Sequence, residues 1–179
     1  EAMDESERLR QDRLIFYEED IEKIGKVLRE LLSLSKAKCA LLIDKEGHMV
    51  AREGAVKSFD SDSLSALVAG AFAATKAMAK LVGEEEFSMM FHQGQRDNIQ
   101  LSLIGDRTIL TVIFDDQTQL GMIRLYTQES VKEIAKIFHQ SRNRVAPALV
   151  LGQDFDVAGM PGKVKVGNQV LSWGEDIFI

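Results

Sequence analysis

The residues that could carry catalysis are few and lie far apart in the sequence. The histidines His48, His92 and His139 fall on different expected elements, and none has a second histidine or a cysteine at metal-ligand spacing. We interpret His92, near the end of an expected strand, as a structural hydrogen-bonding residue. Asp115 and Asp116 follow an apolar run, where adjacent carboxylates are more typical of a solvated turn than of an acid or metal site. These residues predict no metal centre and no cofactor.

The sequence also lacks the usual phosphate-binding loops and shows no sign of a reactive thiol. The chain contains neither G-x-x-x-x-G-K-[ST] nor G-x-G-x-x-G, the two glycine-rich patterns that hold phosphates on backbone N–H groups. The single cysteine, Cys39, excludes an internal disulfide and opens an apolar run, so we expect a buried structural thiol. The sequence therefore predicts a protein that is not an enzyme and does not bind GTP or GDP by itself.

The composition is that of one globular domain with an additional tail. The chain has 179 residues, of which 45% are hydrophobic and 28% are charged. Its net charge of -6 and its lack of a basic stretch argue against nucleic acid or an anionic membrane surface as the main partner. The charged N-terminal stretch has no apolar signal core, and a lone cysteine fits a reducing compartment. We therefore expect a cytoplasmic protein.

The segment Ser61–Gly83 has the clearest helical pattern in the chain. Asp60 or Ser61 can cap its start, and Gly83 occupies the position where a left-handed residue ends a helix. Polar residues interrupt the apolar run, so we expect no insertion into a membrane. At 100° per residue, the expected core stripe consists of Leu64, Leu67, Val68, Ala71, Thr75, Met78 and Val82.

The opposite face of this helix is expected to be a contact surface, because it lacks bulky side chains. Alanine is also the best helix former and costs nothing on a solvated surface, so the pattern alone leaves both interpretations open. Gly70 favours the contact, since a glycine inside a helix costs about 1 kcal/mol relative to alanine and needs a packing reason. The face consists of Ala66, Ala69, Gly70, Ala73 and Ala77, between Asp62 and Lys80.

The remaining periodicity predicts two further helices and five strands. Residues 17–34 form an amphipathic helix, and a tight turn joins the hairpin strands Lys38–Lys45 and His48–Arg52. A third helix is expected from Leu120 to about Ser141, although residues 120–126 also fit extended chain. The expected meander strands are Phe87–Gln93, Ile99–Ile104 and Arg107–Phe114.

The periodic pattern ends near Asn143, and both prolines and five glycines follow it. We therefore expect a domain over residues 17–143, an N-terminal extension over 1–16 and a C-terminal extension over 144–179. Residues 163–171 could add a strand. A purely disordered tail should be poor in large apolar residues, so this one is expected to dock on the domain or a partner. The expected tail contacts are Trp173, Ile177 and Phe178.

Three long stretches of the chain carry motifs that are specific in combination. They are ALLIDKEGHMVAREG, DSDSLSALVAGAFAATKAMAKLVGEEEF and FHQGQRDNIQLSLIGDRTILTVIFDDQTQLGMIRL. Together they resemble the Roadblock/dynein light chain superfamily and, more narrowly, its bacterial MglB branch. The resemblance runs from about Tyr17 to Phe138. It implies an α/β three-layer sandwich in the order α-β-β-α-β-β-β-α, with an antiparallel five-stranded sheet and an added C-terminal extension.

The resemblance also implies a function. Proteins of this kind form homodimers whose sheets join and whose paired second helices form a platform. In the MglB branch, two chains hold the Ras-like small GTPase MglA on this platform and raise its GTP hydrolysis, and the GTPase supplies the catalytic arginine. Cell polarity or gliding motility would be the controlled process. The expected partner-binding residues are Asp62, Ala66, Gly70, Ala73, Ala77 and Lys80, with Arg124 and Lys23 as basic candidates that fit a structural salt bridge equally well.

Two other classes of function stay open. One is a Roadblock scaffold that binds a GTPase or another complex without changing hydrolysis. The other is a small-ligand sensor, which needs a roomy pocket with a few convergent polar groups. The strands are rich in Val, Ile, Leu, Met and Phe and show no polar cluster aimed inward, so the sensor is the weaker alternative.

Overall fold

The computed structural model describes residues 18–55, 59–153, 162–166 and 169–173, with side chains as far as Ser141. The expected N-terminal extension, residues 1–16, lies outside the described residues. The described helices are α1 (Glu18–Ser35), α2 (Ser61–Leu81) and α3 (Leu120–Gln153). The strands are β1 (Cys39–Asp44), β2 (Met49–Gly54), β3 (Met89–Gln93), β4 (Asp97–Ile104), β5 (Thr108–Asp115), β6 (Gly162–Val166) and β7 (Gln169–Trp173).

Strands β1 to β5 form one antiparallel sheet in the order β2-β1-β5-β4-β3. Strand β5 is central because its sequence, TILTVIFD, is rich in β-branched residues, and all of it except Asp115 is buried. Strands β2 and β3 are the two edges. This five-stranded sheet and the order α-β-β-α-β-β-β-α confirm the predicted fold.

Helix α2 covers one face of the sheet. Alternate residues of β1, Cys39, Leu41 and Ile43, share a buried cluster with Val68 and Phe72 of α2. By length and composition alone, α2 is apolar enough to cross a membrane. Its packing on the sheet instead identifies it as a helix of this domain.

Helix α1 and the first part of α3, as far as Ile137, cover the opposite face of the sheet. Arg29 of α1 donates from Nη1 to Oε1 of Glu53 on β2 at 2.6 Å. Glu53 lies opposite Ala40 of β1 in the sheet, and Ala40 points away from α2 because it alternates with Cys39 and Leu41. The hydrogen bond therefore places α1 on the face of the sheet that α2 does not cover. The Thr118 hydroxyl donates to the Lys36 carbonyl at 3.3 Å and thereby links the start of α3 to the end of α1. The buried apolar side chains of the two helices include Ile24, Leu28, Leu31, Ile123, Ile134 and Ile137.

The end predicted for α3 was wrong. The helix begins at Leu120, so residues 120–126 are helical, and it continues past Ser141 to Gln153. An internal proline such as Pro147 removes one backbone hydrogen bond and costs about 3 kcal/mol. The surrounding residues, RNRVAPALVL, include several good helix formers, so the helix continues beyond the proline.

The C-terminal region forms a second compact unit, since the chain divides into Glu1–Ile137 and Phe138–Ile179. Within the second unit, β6 and β7 pair as an antiparallel hairpin, so the single strand considered for residues 163–171 is two short strands. Trp173 ends β7, whereas Ile177 and Phe178 lie outside the described residues. The domain boundary at residue 143 and the tail contacts stay predictions.

Candidate functional site

Helix α2 is fixed at both ends by its own sequence. Asp60 is the N-cap: its Oδ1 accepts from the backbone N–H groups of Asp62 and Ser63, both at 3.1 Å. Its Oδ2 accepts from the Ser63 hydroxyl at 2.6 Å, and this hydrogen bond is the main cause that holds the Asp60 pKa below its usual value. At the other end Gly83 has φ +86°, the left-handed conformation expected there. The cap and the glycine confirm the predicted ends.

The core-facing side of α2 differs from the predicted stripe. Leu67, Met78 and Val82 were expected in the core, yet they are 71%, 58% and 70% exposed. Ala69 was expected on the small-residue face and is buried. The residues that α2 buries are Ser61, Ser65, Val68, Ala69, Phe72 and Ala79.

The buried face of α2 lies roughly a quarter turn around the helix axis from the predicted core stripe, at 100° per residue. Helix α2 carries more than one apolar stripe, and periodicity alone cannot decide which stripe faces the sheet. Phe72 decides it, because its large ring packs among the sheet side chains and brings Val68 and Ala69 inward with it. Bulky apolar residues are consequently left at the surface.

These bulky residues form an exposed apolar strip, defined here as Leu67, Met78, Leu81 and Val82. Leu81 is the most exposed of the four, at 87%. Single exposed apolar residues are ordinary, but several along one helix typically mark an interaction site. The apolar strip is therefore a candidate interaction surface, which the described residues of this chain leave uncovered.

Beside it lies the small-residue strip, defined as Ala66, Gly70, Ala73 and Ala77. All four residues are exposed, which fits both a contact surface and a solvated alanine face. A Cβ atom added at Gly70 would meet no atom within 4 Å. No close packing among the described residues therefore calls for a glycine at this position.

The structure brings together six of the eight predicted partner-binding residues. Asp62 and Lys80 are exposed on α2, with the four members of the small-residue strip. Arg124 and Lys23 lie on α3 and α1, which cover the opposite face of the sheet. Neither of these two cations forms an ion pair with a described residue. Arg124 and Lys23 therefore do not belong to the surface that α2 presents on the same chain.

The turn between β1 and β2 adjoins the small-residue strip, and the sequence analysis missed this contact. Gly47 has φ +93°, and a Cβ atom there would lie 3.0 Å from Cα of Ala66. The turn itself was predicted from Glu46-Gly47. Its packing on α2 is a contact between residues distant in sequence, for which no local pattern gives a signal.

This turn also gathers three groups of metal-ligating type, Asp44, Glu46 and His48, with ligand atoms within 4.8 Å of one another. Asp44 Oδ1 accepts from the backbone N–H groups of Glu46 and His48 at 2.9 and 2.8 Å. Its Oδ2 lies 3.0 Å from Nδ1 of His48. These hydrogen bonds close the turn and account for the grouping without a metal ion.

The other residues considered for chemistry have structural surroundings. Burial raises the pKa of the Cys39 thiol to about 11, which confirms the buried structural cysteine. Asp115 accepts from the Gln117 backbone N–H at 3.1 Å and lies 3.7 Å from Lys38 Nζ, as in the predicted solvated turn. The His92 ring is exposed on β3 and bonds to no described residue, so its predicted structural hydrogen bond is not found there.

Comparisons with known proteins agree on one family. The family model for the Roadblock/LC7 domain matches residues 23–114. The structure of Myxococcus xanthus MglB is 39% identical over 71% of this chain and 96% of that one, with a TM-score of 0.67. The gliding protein MglB from Thermus thermophilus is 35% identical over the same shares, with a TM-score of 0.66.

A third solved structure, described as MglB with a tetrameric arrangement, is 34% identical over the same shares, with a TM-score of 0.67. A comparison with curated proteins gave no match. The MglB-like Roadblock fold is a regulatory domain rather than a catalytic one. The chain belongs to the Roadblock/LC7 family and, within it, to the MglB branch.

Proposed function

We propose that this protein is a homodimeric regulator that binds an MglA-like, Ras-like small GTPase and promotes its GTP hydrolysis, with two chains per GTPase. The observation that supports this most is the exposed small-residue strip of α2, and above all Gly70, whose Cβ position is open. Helix axes can approach to about 8 Å when the contacting side chains are this small. A switch region of a GTPase could therefore lie close to the α2 backbone.

The proposed mechanism is preorganisation of the partner. GTP hydrolysis requires the switch loops and the water-positioning residue to be held over the γ-phosphate. A protein that binds this competent conformation more tightly than the others shifts the equilibrium towards it. Such a regulator needs no nucleophile, metal or cofactor of its own, and the GTPase provides the catalytic arginine.

The apolar strip has a different proposed role, as part of the contact between two copies. Strand β3 is an edge strand, with Met89 44% exposed, so one side of its backbone pairs with no strand among the described residues. A second copy that pairs along β3 and packs on α2 would cover both the strand edge and the apolar strip. The small-residue strips of the two copies would then lie on one surface.

We further propose a cytoplasmic location. We also propose a role in cell polarity or gliding motility, because one of the similar MglB structures comes from Myxococcus xanthus and another is described as a gliding protein. Trp173, Ile177 and Phe178 are proposed to contact the domain or the GTPase. Nucleic acid and membrane insertion have no part in this function.

Two measurements on the purified protein test the proposal and separate its alternatives. Calorimetry on the purified protein should detect no micromolar binding of GTP or GDP. Single-turnover hydrolysis by an MglA-type GTPase should then accelerate when the protein is added. Binding without acceleration would identify a scaffold, and absence of binding to any such GTPase would contradict the proposal.

A further inference from the structure

We infer that the β1–β2 turn, residues 45–48, is a second part of the GTPase-binding surface, in which Glu46 contacts a basic segment of the GTPase. This inference rests on the proposed function. It adds a recognition element that lies outside α2.

The first support is the position of the turn. The Cβ position of Gly47 lies 3.0 Å from Cα and 3.5 Å from N of Ala66, so the turn touches the α2 backbone at the first residue of the small-residue strip. A partner that packs closely along this strip must also meet the turn. The close approach depends on Gly47, since its positive φ and the Ala66 backbone both exclude a larger residue.

The second support is the rigidity of the turn. Asp44 closes it through the two backbone N–H bonds and the His48 contact described above, and Gly47 N donates to the Asp44 carbonyl at 3.1 Å. The neighbouring Lys45 Nζ lies 2.9 Å from Oε1 of Glu86, in the segment that follows α2. A turn held on both sides loses little conformational entropy when a partner binds.

The third support is the charge that the turn presents. The Glu46 side chain is 80% exposed, and Asp62 is exposed in the first turn of α2. Among the nearby cations, Lys45 pairs with Glu86, whereas the exposed Arg52 donates to the neutral Ser61 hydroxyl at 3.4 Å and keeps its charge. The exposed carboxylates of Glu46, Asp60 and Asp62 outnumber the charge of Arg52, so the surface beside Ala66 is acidic on balance, which fits a basic segment of the partner.

Complementary charges at the rim of an interface mainly raise the association rate and its dependence on salt. The test is stopped-flow association of the full-length protein with the GTP-bound GTPase at low and high salt. Glu46→Lys should slow association by about threefold to tenfold at low salt, with little difference at high salt. Glu46→Gln, which keeps the side-chain shape, should have an intermediate effect.

The matched control is Glu129→Lys, the same charge reversal at an exposed position of α3 on the opposite side of the sheet. It should associate at the wild-type rate. The inference would be overturned if Glu46→Lys associated with the GTPase at the wild-type rate, or if Glu129→Lys slowed association as much as Glu46→Lys does. Wild-type protein that binds and accelerates the GTPase in the same experiment would leave the proposed function standing, whereas no binding by wild-type protein would contradict that function itself.

Discussion

Asp60 illustrates how one residue fixes the helix that carries the candidate site. Its carboxylate accepts three hydrogen bonds from the start of α2, and its pKa is lowered, chiefly by the Ser63 hydroxyl. A lowered pKa in the folded protein means that the ionised form stabilises the fold. This contribution is present in full above the ordinary pKa of 3.8 and is lost as the pH falls through the lowered value.

Asp60→Ala should therefore lower the melting temperature at pH 7, and the gap to wild type should narrow below pH 3.8. Thermal unfolding followed by circular dichroism over a pH series measures this. Asp60→Asn retains a side-chain oxygen for the cap, so it should lower the melting temperature at pH 7 by less than Asp60→Ala does. If the difference in melting temperature between Asp60→Ala and wild type stays constant at acid pH, ionisation of Asp60 does not contribute to the stability of the fold.

Thr127 gives a second prediction for a single residue. Its side chain is buried on α3, and its hydroxyl has no hydrogen-bond partner among the described residues. Thr127→Val should therefore raise the free energy of unfolding by about 1 kcal/mol, because a buried polar group without a partner is costly. Urea denaturation measures this change.

Thr108→Val is the matched control, because the Thr108 hydroxyl is also buried but donates to the Ile104 carbonyl at 2.9 Å. It should lower the free energy of unfolding by about 1 kcal/mol. If both variants destabilise the protein equally, the Thr127 hydroxyl has a partner in solution and the prediction is wrong.

At the scale of elements, the sequence predicted the type of each of the first eight elements and most ends within two residues. Local signals determine these features: the Asp60 cap, the Gly83 terminus and the β-branched run of β5. The side of α2 that packs on the sheet was predicted wrongly, because the choice between its apolar stripes depends on how Phe72 fits the sheet. The contact of Gly47 with Ala66 was missed for the same reason, since it joins residues distant in sequence.

The extent of α3 changes how the C-terminal extension should be tested. Because the helix runs to Gln153, a truncation at the predicted boundary would cut through it, whereas deletion of residues 154–179 leaves it whole. We expect this truncated protein to keep the fold and the dimer while its affinity for the GTPase or its effect on hydrolysis changes. Circular dichroism, light scattering and the hydrolysis assay check the three parts, and loss of folding would show that the extension is structural.

At the scale of the whole molecule, the exposed apolar strip and the open edge of β3 predict a dimer. Light scattering at micromolar concentration should give twice the chain mass of 20.0 kDa. The double variant Met78→Glu and Leu81→Glu should be a folded monomer, because each carboxylate would lose its hydration in the contact. Leu125→Glu, at a half-exposed position of α3, should remain a dimer. A monomeric wild-type protein would contradict this prediction.

The central claim is that the small-residue strip of α2 binds the GTPase, and arginine substitutions in that strip test it most directly. A new guanidinium in a close contact excludes the partner and can cost several kcal/mol, whereas on a solvated helix face it changes stability by only about 0.5 kcal/mol. Ala135→Arg, at an exposed alanine of α3, is the matched control.

The decisive measurement is GTPase binding and single-turnover hydrolysis with Ala73→Arg, Ala77→Arg and the control, alongside melting temperature and molar mass. We predict that both α2 variants stay folded and dimeric but neither bind nor accelerate the GTPase, while Ala135→Arg behaves as wild type. Stable, dimeric α2 variants that still accelerate GTP hydrolysis normally would contradict the account, and loss of the fold or the dimer would assign these residues to the core or the self-contact instead.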